Sequence, residues 1–181
     1  MYTLNADEKT SLVMIYTEAS LVRGEVVTKQ GIRVSTWLRT DGAPEYMHLI
    51  NVQVLNFLGS QVRSSSYPEM FLPTSQVIGF HLVPPAQDSL DYEAGEANRT
   101  MQPVTVLLGS FLIAGKVRIS TQTGFATSIA TSRLAWMSIY EASISSPALP
   151  QMAALMVPML VIRPNHVSFT ITVDKESNPE N

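Results

Sequence analysis

Side chains that could carry out catalytic or metal chemistry are few in this 181-residue chain, and they lie far apart in sequence. The chain has no cysteine, which excludes disulfides, Cys-ligated zinc, iron–sulfur clusters and a cysteine nucleophile. The only imidazoles are those of His48, His81 and His166, and none stands in a zinc-binding spacing such as HxH or HExxH. The sequence therefore predicts no metal site and no cofactor.

Motifs of known enzyme classes are missing as well. There is no glycine-rich phosphate loop and no GxSxG nucleophile turn. Asp41 and Glu45 are the only closely spaced acids in the first body of the chain, and the second body has Glu141 alone. Chemistry on paired carboxylates would need these few acids to converge in space. We expect no catalytic residue and a protein that is not an enzyme.

Neither the N-terminus nor any apolar run suggests a membrane or an export route. The opening MYTLNADEKTSLV lacks the basic and apolar regions of a signal peptide. The longest apolar run, residues 152–162, contains Pro158 and is well short of the roughly 20 residues that span a bilayer. These features predict a cytoplasmic protein without a membrane partner.

The net charge of −3 is unevenly distributed. Residues 1–9, 85–100 and 173–181 hold nine acids against three bases, whereas residues 10–84 are neutral and residues 101–172 carry +3. No cluster of lysine and arginine is present, although a nucleic-acid footprint usually shows one. We therefore expect no DNA partner.

A polar, acidic stretch at residues 85–100, here called the acidic linker, divides the chain near its middle. The two flanking halves align at an offset of about 90 residues, with apolar class and order kept in four blocks. The paired blocks are Ser20–Val26 with Phe111–Val117, Gly31–Ser35 with Gly124–Ser128, Tyr46–Ile50 with Trp136–Tyr140, and Ile78–Leu82 with Val167–Ile171. We predict an internal repeat with domains at 10–84 and 101–173 and an acidic tail at 174–181.

Within the blocks the hydrophobic period is two, which predicts β-strands. Phe111, Ile113, Val117 and Ile119 alternate with more polar positions, and His48, Ile50, Val52 and Val54 do the same. Residues 35–39 could form a helical turn, and no stretch shows a convincing amphipathic helix. Each half is thus about 75 residues of short strands, a size that suits a small closed barrel of about five strands. The predicted fold is all-β, with two tandem SH3-like barrels.

One family's motifs are visible in both halves. Leu160–Ile171 resembles the second signature of Sm and Sm-like proteins, an apolar strand, Ile-Arg-Gly, a short turn and another apolar strand. The first signature, Gly-x-Leu/Val followed later by an aromatic or His, Met and Asn, is similar to two pairs of segments. These are Gly24–Val26 with Tyr46–Leu49, and Gly115–Val117 with Trp136–Ile139. Pro164 replaces the family's Gly, and His48 and Ser138 replace its Asn. The chain is most similar in pattern to a bacterial two-copy Sm-like family of unknown function.

The resemblance implies a site for single-stranded RNA. In such proteins the aromatic stacks on a base, which contributes about 1–3 kcal/mol, and the Asn and Arg contact it from the side. The corresponding residues here are Tyr46, His48, Trp136, Ser138, Arg163 and Asn165. The alternative is that Tyr46 and Trp136 are core or interface aromatics.

The resemblance also implies assembly into rings, which is a separate expectation because it needs only unpaired backbone on the outer strands. The tracts Val77–Val83 and Val167–Val173 are apolar and long enough to self-associate as edge strands, unless they are internal. The Met-rich segment 151–160 is either a contact surface or a buried strand that fills a gap. The sequence predicts a non-enzymatic interaction or assembly module, with RNA binding as the alternative.

Overall fold

The computed structural model describes residues 2–40, 42–57, 61–131 and 133–171. The predicted tail at 174–181, together with Asp41 and Val173, lies outside these residues. The described chain is all-β with two short α-helices, which confirms the predicted class. The strands are β1 Glu8–Tyr16, β2 Ser20–Lys29, β3 Tyr46–Asn56, β4 Arg63–Pro73, β5 Gly79–Leu82, β6 Arg99–Leu108, β7 Phe111–Ser120, β8 Met137–Ser145, β9 Leu155–Ile162 and β10 Ser168–Thr170.

All ten strands belong to one antiparallel sheet in the order β10-β6-β7-β8-β9-β5-β1-β2-β3-β4. Strand β5 joins the halves, since it pairs with β1 on one side and with β9 on the other. In the described residues the sheet is open and ends at β4 and β10. The prediction that each half closes into a barrel is therefore wrong, because β5 finds its second partner in the other half and not in β4. Whether a sheet closes into a barrel depends on which two edge strands pair, and the alternation of residues within each strand does not predict that pairing.

Two hydrophobic cores lie beneath this sheet. One is formed mainly by β6–β9 and the other mainly by β1–β4. Each core also receives side chains from the opposite half: Tyr16, Leu21 and Ile78 enter the second-half core, and Trp136 and Val161 enter the first-half core. The two halves are therefore held together by shared packing as well as by the β5–β9 hydrogen bonds.

Both halves interrupt their strand alternation at the same kinds of position. The β2–β3 register shifts around Gly24, and the β7–β8 register shifts around Gly115. Asn51 in β3 has φ 53° and Glu141 in β8 has φ 50°, and such left-handed residues reverse which face the following side chains occupy. In β3 the buried residues are accordingly Met47 and Leu49 before the irregularity, then Val52 and Val54 after it. Of the alternating set His48, Ile50, Val52 and Val54, only the last two are buried.

The helices are α1 Val34–Trp37 and α2 Phe125–Thr131. Helix α1 confirms the predicted turn near residues 35–39, whereas α2 was not predicted, and in the described structure none of its side chains is fully buried. Of the two tracts expected at the sheet edges, 77–83 forms the internal strand β5 and only β10 lies at an edge. The other edge, β4, was not predicted. No helix in the described part of the chain is long and apolar enough to cross a membrane.

Candidate functional site

The surface where the two halves meet contains three of the six residues predicted to bind RNA. Trp136 is only 9% exposed, and its ring lies edge-on to Phe80 of the first half with centroids 5.6 Å apart. The guanidinium carbon of Arg163 lies 4.5 Å from the centroid of Trp136, and Arg163 Nη2 donates to the Thr74 carbonyl at 3.1 Å. Burial lowers the pKa of Arg163. Trp136 and Arg163 therefore contact the first half and help to hold the two halves together.

Ser138, the third of these residues, belongs to a polar cluster that connects both halves with the acidic linker. Arg39 Nη2 donates to Ser138 Oγ at 2.5 Å, and Ser138 Oγ donates to Asp91 Oδ2 at 2.7 Å. Tyr140 Oη donates to Asp91 Oδ1 at 2.6 Å, and Arg39 Nη1 forms an ion pair with Asp91 Oδ2. Both oxygens of the Asp91 carboxylate are thus bound by side chains from two separate parts of the chain, Arg39 of the first half and β8 of the second.

The electrostatics of this cluster favour an ionised carboxylate. Burial raises the pKa of Asp91, but the hydrogen bonds from Tyr140, Arg39 and Ser138 outweigh burial, and the pKa is lowered. Burial, followed by the hydrogen bond to Asp91, raises the pKa of Tyr140, so its hydroxyl stays a donor. Charge-assisted hydrogen bonds of this kind are about twice as strong as neutral ones. The donor set is suited to binding an oxyanion.

The acidic linker makes further contacts beside this cluster. The ring of Tyr92 lies edge-on to Tyr140 at 4.8 Å, and the Arg118 guanidinium sits 4.9 Å from the Tyr92 centroid. Arg118 also donates to the Glu96 carboxylate at 2.5 Å and to the Glu93 carbonyl at 3.1 Å. Asp88 accepts hydrogen bonds from the hydroxyl and the backbone N–H of Ser35. The predicted linker is therefore bound along the junction of the halves.

The remaining predicted residues lie elsewhere. Tyr46 is 50% exposed at the start of β3. His48 Nε2 lies 2.7 Å from Glu69 Oε1, and the His48 ring stacks on Phe71 with centroids 4.8 Å apart. Phe71, on β4, is itself 60% exposed. Asn165 is exposed in the 3₁₀ turn Pro164–His166. The first half thus carries an exposed aromatic surface, defined here by Tyr46 and Phe71, with the His48 ring stacked on Phe71.

The third imidazole belongs to a buried pair. His81 is 2% exposed and Tyr16 is 1% exposed, with Tyr16 Oη and His81 Nε2 3.1 Å apart. His81 Nδ1 lies 2.8 Å from the Leu82 carbonyl, which can only accept, so Nδ1 carries the proton and Nε2 accepts from Tyr16. Burial lowers the pKa of His81 against the opposing effect of the Leu82 hydrogen bond. Both side chains of this pair are almost fully buried.

Comparison with known proteins adds no family assignment. No family model matches the chain, and neither a curated protein nor a solved structure matches it. In the described part of the chain no three His, Asp or Glu side chains are placed to hold a metal ion. The interpretation of function therefore depends on geometry.

Sequence reasoning did not find Arg39, Asp91, Arg118 or Tyr140. The available signal was the acidic composition of residues 85–100, which by itself indicated only a linker. An acidic segment can also bind basic side chains of its own chain. The second half, with a net charge of +3, supplies one of them in Arg118, which pairs with Glu96.

Proposed function

We propose that this chain is a non-enzymatic assembly module made of two Sm-like units, whose copies join through β4 of one chain and β10 of the next. The observation that carries the proposal is the β5–β9 junction, where one half adds its last short strand to the outer strand of the other. The strands that correspond to β9 and β5, namely β4 and β10, stand at opposite ends of the sheet. Adding a strand at such an edge forms new hydrogen bonds with the backbone N–H and C=O groups that an edge strand presents.

The internal repeat is part of this proposal. The first half has the strand order β5-β1-β2-β3-β4 and the second has β10-β6-β7-β8-β9. The irregularities support the same correspondence, since Gly24 matches Gly115 and Asn51 matches Glu141. In each half a proline lies across from the left-handed residue, Pro68 in β4 and Pro158 in β9. Chance placement of three matched irregularities in two unrelated halves is a weaker explanation than duplication of one unit.

The correspondence predicts the register of the junction between chains. Within the chain, Phe80 of β5 pairs with Val161 of β9. The position equivalent to Phe80 is Phe169 of β10, and the position equivalent to Val161 is Phe71 of β4. A second copy would therefore place its Phe169 opposite Phe71.

Exposure supports this arrangement. At the junction within the chain Trp136 is 9% exposed and Val161 is 1% exposed, whereas their equivalents in the first half, Tyr46 and Phe71, are 50% and 60% exposed. Exposed aromatic surfaces of this kind mark contact sites. The exposed aromatic surface of the first half therefore corresponds to the surface of the second half that the first half covers. In the first half this surface has no neighbouring half to cover it within the described chain. Because the two edges differ, the contact is head-to-tail, and it gives a ring when the rotation closes.

Engineered disulfides test both the assembly and its register, and the absence of native cysteine keeps the background clean. The double variant Phe71→Cys/Phe169→Cys should form a ladder of covalent oligomers on a non-reducing gel. The matched control Tyr67→Cys/Phe169→Cys moves one cysteine four residues along β4, about 13 Å, and should stay monomeric. A ladder from both pairs, or from neither, contradicts the register.

Light scattering tests the assembly without crosslinks. The wild-type mass should be a multiple of 19.9 kDa. Phe71→Lys should reduce it, whereas Met156→Lys, at a residue that is also 60% exposed, should not. A monomeric wild-type mass that is independent of concentration refutes the proposal.

The second candidate function is binding of single-stranded RNA, and the half-exposed ring of Tyr46 is the observation that favours it. Trp136, Ser138 and Arg163 are engaged at the junction, so the first half offers the better stacking surface. The 260/280 absorbance ratio of protein purified from cells, before and after nuclease, tests for RNA cargo. The cytoplasmic location stays a prediction.

A further inference from the structure

A cleft of about 340 Å³ opens beside the cluster that binds Asp91. Its polar wall is formed by Arg39, Arg118, Ser138 and Tyr140, and its apolar wall includes Trp136. Arg39 comes from the first half and the other four residues from the second. Such a concave site with a few converging polar groups is the usual form of a ligand site.

The acidic linker shows what chemistry the cleft recognises. The Asp91 carboxylate takes hydrogen bonds from Arg39, Ser138 and Tyr140, and the ring of the next residue, Tyr92, lies between Tyr140 and the Arg118 guanidinium. The cleft thus contacts an aspartate and the aromatic residue that follows it. Arg118 also donates to the backbone carbonyl of Glu93, a group that peptides have and nucleic acids lack.

The cleft also keeps an unused donor. Arg39 Nε is buried and, within the described structure, has no hydrogen-bond partner. Buried donors are normally satisfied, because leaving one unpaired costs about 1–3 kcal/mol. Asp91 therefore binds Arg39 without satisfying all of its donors.

We propose that this cleft is a binding site for acidic peptide segments that carry an aspartate followed by an aromatic residue, and that the acidic linker occupies it as an internal competitor. The occupant in trans is the acidic linker of a second copy of this chain. The proposal is independent of assembly through β4 and β10, since the cleft is complete within one chain.

The linker can leave the cleft with little loss of packing. Most of its residues are exposed, including Leu90 at 44%. The apolar packing that the linker would lose is mainly the contact between the rings of Tyr92 and Tyr140. Segments with few buried apolar contacts open locally at low free-energy cost. The short tether nevertheless gives the linker an effective concentration in the millimolar range, so a peptide in trans binds weakly until the linker is displaced or altered.

A peptide-binding assay tests the proposal. The host is the full chain carrying Asp91→Asn and Tyr92→Ser, and the probe is a fluorescein-labelled peptide of residues 86–97 followed by anisotropy. We expect at least about tenfold tighter binding to the host than to wild type, because internal competition is removed. The same peptide with Asn and Ser at its Asp91 and Tyr92 positions should bind at least about tenfold more weakly.

Three controls make the result specific. Glu18→Gln removes the same charge from an exposed site and should give no gain in affinity over wild type. Adding Arg39→Gln to the host should abolish the gain. If thermal melting shows that the double variant is not folded, the single variant Asp91→Asn replaces it as host.

Two results would overturn the proposal. One is that neither host variant binds the peptide more tightly than wild type does. The other is that labelled oligo(U) of matched length binds the host with the same dependence on Arg39 while the peptide does not, which would assign the site to phosphate.

Discussion

Removal of one hydroxyl from the buried Tyr16–His81 pair should destabilise the protein measurably. Tyr16→Phe keeps the ring and its edge contact with Phe111, whose centroid is 4.9 Å away. It leaves His81 Nε2, in a side chain that is 2% exposed, without its donor. An unsatisfied buried acceptor costs about 1–3 kcal/mol, and in a chain of this length that lowers Tm by about 2–12 °C.

Urea unfolding followed by circular dichroism measures this loss. Tyr67→Phe is the matched control, because Tyr67 is 45% exposed and its hydroxyl can bond to water. Its effect on the free energy of unfolding should stay within about 0.5 kcal/mol. If Tyr16→Phe costs no more than Tyr67→Phe, the assignment of His81 Nε2 as a buried acceptor is refuted.

The same pair predicts how stability depends on pH. Because burial lowers the pKa of His81, the unfolded chain takes up this proton at a higher pH than the folded chain. The contribution of neutral His81 is complete above the unfolded value of about 6.5 and is lost as pH falls through the folded pKa. The slope from one proton is at most about 1.4 kcal/mol per pH unit. His81→Gln should remove this component between pH 7 and 5.5, and an unchanged slope would contradict the reasoning.

Two further predictions concern packing at single residues. A Cβ at Gly115 would lie 2.5 Å from Ile139 Cγ2 and 3.0 Å from the Tyr140 carbonyl, so Gly115→Ala should cost about 1–3 kcal/mol in urea unfolding. Gly31→Ala, with no described atom within 4 Å of its Cβ, should change stability by less than about 0.5 kcal/mol, and equal effects would exclude steric crowding. Arg163→Ala should lower the free energy of unfolding by about 0.5–2 kcal/mol, because the cation–π contact with Trp136 is lost. Its tryptophan emission should shift to the red, because the Trp136 ring becomes more exposed to water. An unshifted spectrum would show that Arg163 does not cover the ring.

The strand content could be predicted from the sequence because the alternation of side chains is a local property. In β7, Phe111, Ile113, Val117 and Ile119 are all buried, as their period of two predicted. The reversal of phase in β8 was not predictable, since it depends on Glu141 at φ 50°, a conformation that glutamate rarely adopts. The sequence pattern therefore predicts which side chains of a strand are buried only as far as a residue with positive φ.

The candidate site was predicted less well. The pattern paired Tyr46 with Trp136 and His48 with Ser138, but the local sequence does not say which member of each pair is covered. Arg39 and Ser138 are 99 positions apart, and only the folded chain brings them to one carboxylate. Long-range convergence of this kind leaves no periodic signal in the sequence.

By itself the sequence determined the β class and the exclusion of cysteine chemistry, because both depend on composition or on local pattern. Only the tertiary structure decided that the sheet is open, that the acidic linker is bound by Arg39 and Tyr140, and that Trp136 is buried while Tyr46 is exposed. The physical reason is the β5–β9 pairing, which supplies one half with a neighbour and leaves the equivalent surface of the other half free.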